Sequence, residues 1–500
     1  MYPPPPPPDD IVELVRVDVP DLPGAVASSE YGSVFEGDPG LAGVVGRPEA
    51  LAEVDLVEAT GALQALDASP WHAAGHTGAG VKIAVFDSQW RDWEALEREL
   101  SPVSTHDCFD HRSCAQPLDS YLRYTSSGRH GVACAEVIRD IAPDADLYLV
   151  RVTSLTSLEN AVAWAIREDI DIISMSLSFF NESMYDGTGP VNRPMDDLAA
   201  AGVLMVTSAG NYAEEHWMGR FSDTDRDGIH EFAPGDEGTW VYWDAGSRRL
   251  DVTWNDWDRC GDTDLDVYVY DETDALVGKS VRDQLLPDDR ADDQGCSPVE
   301  RVTVNVRDTG WHRVVVHRKR GDADPTIHLF ARAGELYTPV VEGSIVDPGT
   351  HPSVLTVGAV RRDDYLFAPP ESFSSWGPTV NGIPKPDIAG PDGLSTVTYG
   401  DSGFFGTSAA TPAVAGALAV TMSRTPGMSA WEAADELKAW AESDRATWDG
   451  HDPALGAGKA RLPALSGADS GCGFGRILPM VVLLPGLGLR RRSRRTRRTR

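Results

Sequence analysis

Gly406-Thr407-Ser408-Ala409-Ala410-Thr411-Pro412-Ala413-Val414-Ala415-Gly416 opens a run of small residues that predicts a long helix from Ser408 to about Ser423. A serine before an apolar helix is usually no more than an N-cap, so Ser408 gains meaning only from what surrounds it. Downstream, a last helix is predicted over about Ser429 to Ala441. Upstream, Val354-Leu355-Thr356-Val357 reads as a strand. Further back, Val81-Lys82-Ile83-Ala84-Val85-Phe86 is a β-branched run ending in Asp87, the pattern of a buried parallel strand. His130 begins an apolar helix, and strands at Asp146 to Val152, Ile170 to Leu177 and Val203 to Ser208 alternate with helices at Leu158 to Arg167 and Met195 to Ala201. Strands and helices of this size in alternation predict an α/β fold, a parallel sheet covered by helices on both faces.

The alternation breaks between about Phe221 and Ala333. Helical signals vanish, and short strands such as Leu250 to Trp254, Leu265 to Tyr270, Val302 to Val306 and Trp311 to Val316 follow one another between Asp and Gly turns. This predicts an inserted antiparallel β-sandwich over 222–333, splitting a catalytic unit into 71–221 and 334–465. Residues 1–70 form a Pro-rich leading segment, the composition of an extended spacer or a propeptide. Residues 466–500 form a tail.

Acyl transfer through serine needs a hydroxyl nucleophile, a base, a carboxylate that orients the base, and donors for the oxyanion. Each has one candidate at the carboxyl end of a strand or the head of a helix, where sites collect in open α/β sheets. Asp87 ends a strand, His130 and Ser408 open helices, and Asn211 ends the strand-to-loop step Ser208-Ala209-Gly210-Asn211.

The residues around these four resemble the subtilisin-like serine proteases. The stretch Gly406 to Gly416 is similar to that family's serine motif, with Ala409 where Met is usual and Ala413 where His is usual. His130-Gly131-Val132-Ala133 is similar to its histidine motif, with Val132 for Thr. Ala142-Pro143-Asp144-Ala145, Ser375-Trp376-Gly377-Pro378 and Lys385-Pro386-Asp387 match further landmarks. Ser88-Gln89 replaces the usual small pair after the aspartate, and Gln89 beside the carboxylate is the departure of most concern. The order Asp, His, Ser is that of subtilisin. The resemblance spans about residues 75–220 and 335–460. It implies a serine endopeptidase acting on protein or peptide substrates, with no cofactor for the chemistry. It also implies that Ser176-Leu177-Ser178 pairs with an extended substrate backbone and that Ser208, Ala209 and Gly210 line the first specificity pocket. The alternative is a catalytically weak, surface-attached protein that binds through the sandwich.

The 500-residue chain is 41% hydrophobic and 24% charged, with 48 Gly and 35 Pro, a globular and loop-rich composition. A formal charge of -33 argues against nucleic acid as a partner. Eight arginines lie within 490–500, so the body is more acidic still. Of six cysteines, Cys108 with Cys114 and Cys260 with Cys296 suggest loop staples of an oxidising compartment, while Cys134 lies in the apolar helix. Asp223-x-Asp225-x-Asp227-Gly228 has the spacing of the first half of a calcium loop, with Glu231 at the ninth position. Pro234 stands at the twelfth, so a complete EF-hand is excluded, and an ordinary acidic turn has the same composition. Calcium, if bound there, would be structural.

The amino terminus has neither a basic nor an apolar segment of signal-peptide type. The other end has Gly471-Cys472-Gly473, an apolar run from Ile477 to Leu489, then the arginines. This resembles a tripartite bacterial sorting tag of the GlyGly-CTERM or MYXO-CTERM kind, which implies transient membrane association and a secreted or cell-surface monomer. Either the true start lies upstream of Met1 or the protein stays inside, and the tail favours the first.

Overall fold

The computed structural model describes residues 61–109, 113–118, 128–257, 263–284, 297–442 and 451–465. Its centre is a seven-stranded parallel sheet. In chain order the strands are β1 (Lys82–Asp87), β2 (Val103–Asp107), β3 (Asp146–Arg151), β4 (Ile172–Met175) and β5 (Leu204–Ser208), then, after a long interval, β15 (Val354–Arg361) and β16 (Ile388–Asp392). They are arranged β16-β15-β5-β4-β1-β3-β2. β1 lies between β3 and β4, with Val85 opposite Leu149 on one side and Ser174 on the other. Helices cover both faces, which is why β1 reads as a continuous apolar run rather than an alternating one: Ile83 to Phe86 are all buried. The helix Leu155–Arg167 starts at a capping box in which Ser154 and Ser157 satisfy each other's backbone N–H groups. The small-residue helix Thr407–Arg424 runs through the core and is buried from Thr407 to Met422.

The interval holds two antiparallel sheets. One consists of β10 (Leu276–Ser280), β9 (Asp264–Asp271), β12 (Gly310–Arg320), β7 (Thr239–Trp243) and β14 (Gly334–Leu336), in that order. The other is β11 (Val299–Val306), β8 (Gly246–Trp254), β13 (Thr326–Arg332) and β6 (His216–Arg220). Alternate residues such as Leu250, Val252 and Trp254 meet Val267, Val269, Val314 and Val316 in a shared core. The sheets draw in His216–Arg220 and Gly334–Leu336, both outside the expected 222–333 segment. A second difference concerns the strand expected over Ile170 to Leu177. Pairing stops at Met175, and Ser176-Leu177-Ser178 leaves the sheet as irregular chain.

Candidate active site

β1 delivers Asp87, fully buried, to the carboxyl end of the sheet. His130 heads the helix His130–Ile141, and its Nδ1 lies 2.6 Å from Asp87 Oδ2. A Cβ on Gly131 would sit 2.6 Å from the Asp87 Cβ and 2.9 Å from the Trp90 ring. Only glycine lets the helix head come this close to the strand end. The other carboxylate oxygen, Oδ1, accepts the Gln89 backbone N–H at 2.9 Å. At position 89 it is the main chain that meets Asp87.

Ser408 is the second residue of its helix and is 8% exposed. Gly406 precedes it at φ +97°, a conformation suited to glycine, and the Gly406 N–H donates to Asp392 Oδ2 at 3.0 Å. Burial pushes the Asp392 carboxyl up to about 7. Pro412, four residues on, has no N–H to give the Ser408 carbonyl. That carbonyl instead accepts from the Ser176 hydroxyl at 3.2 Å and the Cys134 thiol at 3.7 Å. Cys134 is a buried free thiol, and burial raises it well above its ordinary value, which makes it inert as a nucleophile.

Asn211 Oδ1 accepts the Thr407 backbone N–H at 2.9 Å and the Thr407 hydroxyl at 3.0 Å. A backbone N–H can only donate, so the oxygen must face Thr407 and the amide nitrogen is turned away from it. Ser208 ends β5, and Ala209 and Gly210 lead on into Asn211, with the Gly210 N–H donating to Thr407 Oγ1 at 3.2 Å. On the facing segment, Phe179 N–H donates to the Asp347 carbonyl at 3.0 Å. The Asp347 carboxyl is buried, accepts from Ser183, Thr350 and Asn192, and is pushed up to about 6 by burial. The Leu177 side chain is buried in the hydrophobic core.

Two contributors escaped the sequence reading. Phe404, at the end of the hairpin formed by β17 (Leu394–Thr396) and β18 (Gly400–Phe404), lies edge-on to the His130 ring at 5.8 Å. Glu136 is buried in the His130 helix, and its Oε1 accepts the N–H groups of Val397 at 2.7 Å and Thr398 at 3.3 Å, tying that hairpin down. Burial pushes the Glu136 carboxyl up to about 8. An acid within the otherwise apolar run Val132 to Ile138 was the available signal.

Away from this centre, the carboxylates of Asp223, Asp225 and Asp227 come within 4.8 Å of one another. Asp223 also meets Arg318 at 3.0 Å. Glu231 does not join them: its oxygens accept from the hydroxyls of Thr224 and Ser222. Cys108 and Cys114 form a disulfide. The pairing expected of Cys260 and Cys296 lies outside the described residues, as do Cys472 and the tail.

A model of the subtilase family matches residues 78–234 and 304–475, both halves that carry these groups. The chain belongs to the subtilase family. This subtilase is 24% identical over 458 residues to the minor extracellular protease Vpr of Bacillus subtilis, an alignment covering 79% of this chain and 52% of Vpr. It is 28% identical over 156 residues to subtilisin E of the same organism, covering 28% of this chain and 36% of that one. The chain thus spans about half or less of these relatives. Among solved structures, the CspB protease of Clostridium perfringens has the same fold at TM-score 0.55 and 16% identity, over 80% of this chain and 97% of that one.

Proposed function

We propose that this subtilase is a serine endopeptidase that cleaves proteins through an acyl-enzyme on Ser408. The observation that carries the reading is the buried Asp87–His130 contact at 2.6 Å, at the head of a helix packed beside the helix of Ser408. His130 takes the Ser408 proton as the oxygen attacks the scissile carbonyl, and later gives it to the leaving amine. Asp87 holds the imidazole tautomer and stabilises the imidazolium. The Asn211 amide and the Ser408 N–H receive the oxyanion. Ser176 to Ser178 and Ser208 to Gly210 flank the bound peptide, and neither segment carries a charge to demand one in the substrate. The binding-only alternative lacks its main support, since no catalytic residue type is missing.

Secretion is the localisation we infer. The Cys108–Cys114 disulfide supports it, and Vpr is by its name extracellular. A tail held at the membrane and then removed, and a structural calcium at Asp223, Asp225 and Asp227, belong to the same proposal. The deciding experiment is labelling with a fluorophosphonate probe. Label on wild type and none on Ser408→Ala is expected, whereas equal label on both would sink the assignment.

A further inference from the structure

We propose that Phe330 and Arg332 of the sandwich are positioning residues for the peptidase site, acting on the Asn211 amide through Tyr212 and on the substrate segment Ser176–Ser178 through Phe180. The inference rests on the endopeptidase reading and goes beyond it.

Phe180 lies two residues past Ser178, and Tyr212 is the residue after Asn211. Their rings meet edge-to-face at 5.0 Å. The third ring comes from β13: Phe330 stands 5.2 Å from Phe180 and 6.0 Å from Tyr212, again edge-to-face. Arg332 projects from the same face of β13, two residues on. Its guanidinium lies 4.1 Å from the Phe180 centroid and 5.8 Å from that of Tyr212. Phe330 is fully buried and Arg332 nearly so. The main chain of the loop is held as well. Arg301 donates to the Phe180 carbonyl at 3.2 Å and to Asp251 at 2.6 Å, while the Asn181 amide donates to the Glu300 carbonyl at 3.1 Å.

A module merely tethered to a scaffold meets it through a polar, wet boundary. Here Phe180, Tyr185, Tyr212 and Val346 of the catalytic fold share one buried cluster with Phe330. The Tyr212 ring also lies against Gly210, so a shift in its seat is felt on both sides of Asn211. Misplacing a reacting group by about 1 Å costs on the order of a hundredfold in rate. The sandwich therefore sets how well the oxyanion donor is aimed, and loosening it should lower turnover more than binding.

The test is a double-mutant cycle on the full chain, read with a chromogenic peptide substrate and a peptide aldehyde inhibitor. Phe330→Leu and Arg332→Met, the latter keeping a long apolar stem, should each lower kcat about tenfold or more with KM within about threefold. Aldehyde affinity should weaken in step with kcat/KM. In an Asn211→Ala background the same changes should cost less than about twofold, because the donor they aim is gone. Folded variants that keep kcat within twofold of wild type would overturn the proposal, as would an undiminished loss in the Asn211→Ala background. If Phe330→Leu does not fold, the cycle is read on Arg332→Met. A wild type that neither hydrolyses peptide nor takes the fluorophosphonate label would instead strike the endopeptidase reading itself.

Discussion

Asp87→Asn replaces one oxygen by an NH2 group and leaves the shape of the side chain unchanged, so its effect isolates electrostatics and tautomer. Asp87 Oδ1 accepts the Gln89 N–H, and Oδ2 faces His130 Nδ1 at 2.6 Å. In the variant, the Gln89 N–H still needs an acceptor, so the amide oxygen takes that side and the NH2 turns toward His130. An NH2 donates, which forces Nδ1 to act as acceptor and moves the imidazole proton to Nε2. The nitrogen that should take the Ser408 proton then already carries one. In serine proteases the same exchange costs about 10⁴ in kcat, equivalent to about 5.4 kcal/mol of transition-state stabilisation. The expected result is a kcat/KM about four decades lower on a peptide nitroanilide, with a melting temperature close to wild type and little label from a fluorophosphonate at neutral pH. A folded Asp87→Asn within tenfold of wild-type turnover would refute both the tautomer argument and the role of Asp87.

Asn211→Ala should lower kcat by about 100- to 1,000-fold with a small change in KM, measured by initial rates, since it removes one oxyanion donor. Glu136 is raised from 4.5 to about 8, so the folded state holds its proton longer than the unfolded chain does. Its stabilising contribution is complete below pH 4.5 and is lost as pH rises through about 8. Glu136→Gln should therefore melt at the same temperature as wild type or lower at pH 4 but higher at pH 9, by calorimetry; no crossover would contradict the burial argument. Deleting 222–333 should give insoluble protein, because it removes Phe330 from the Phe180–Tyr212 cluster and strands β6; soluble, active material from that deletion would show the sandwich to be dispensable. Calcium should raise the melting temperature of wild type but not of Asp223→Asn, whereas an equal shift in both would assign any binding elsewhere.

The α/β fold was legible because its central strands are buried on both faces and so read as uninterrupted apolar runs. Asp87, His130 and Ser408 stood out because each ends a strand or opens a helix, and Asn211 because it follows β5 across the short step Ala209-Gly210. Periodicity failed at Leu177, since an apolar side chain has the same pattern whether it is buried in a sheet or beside one. It failed again at β6, whose residues do not alternate, and at β14, which is only three residues long. Glu231 was placed by counting along a twelve-residue loop. The chain instead folds back early, with the Glu231 N–H on the Ser222 carbonyl at 2.8 Å. Phe330 and Arg332 left no local trace of their role, because their partners Phe180 and Tyr212 lie far away in sequence and meet them only through the sheet pairing of β13.

The strand order also dictates a timetable for synthesis. β5 pairs with β4 on one side and β15 on the other, and β15 begins roughly 145 residues after β5 ends. A ribosome adding about 5–20 residues per second leaves that edge open for roughly 7–30 s. An open strand edge invites pairing with a neighbouring chain. The intervening sandwich is made of antiparallel neighbours, and most of its pairs can close during the wait. Ser408 emerges later still, after β15, β16 and the hairpin that seats it. A nascent chain that has passed Asn211 but not reached Ser408 carries Asp87, His130 and Asn211 without the hydroxyl, so under the proposed mechanism it cannot cut the proteins being made around it.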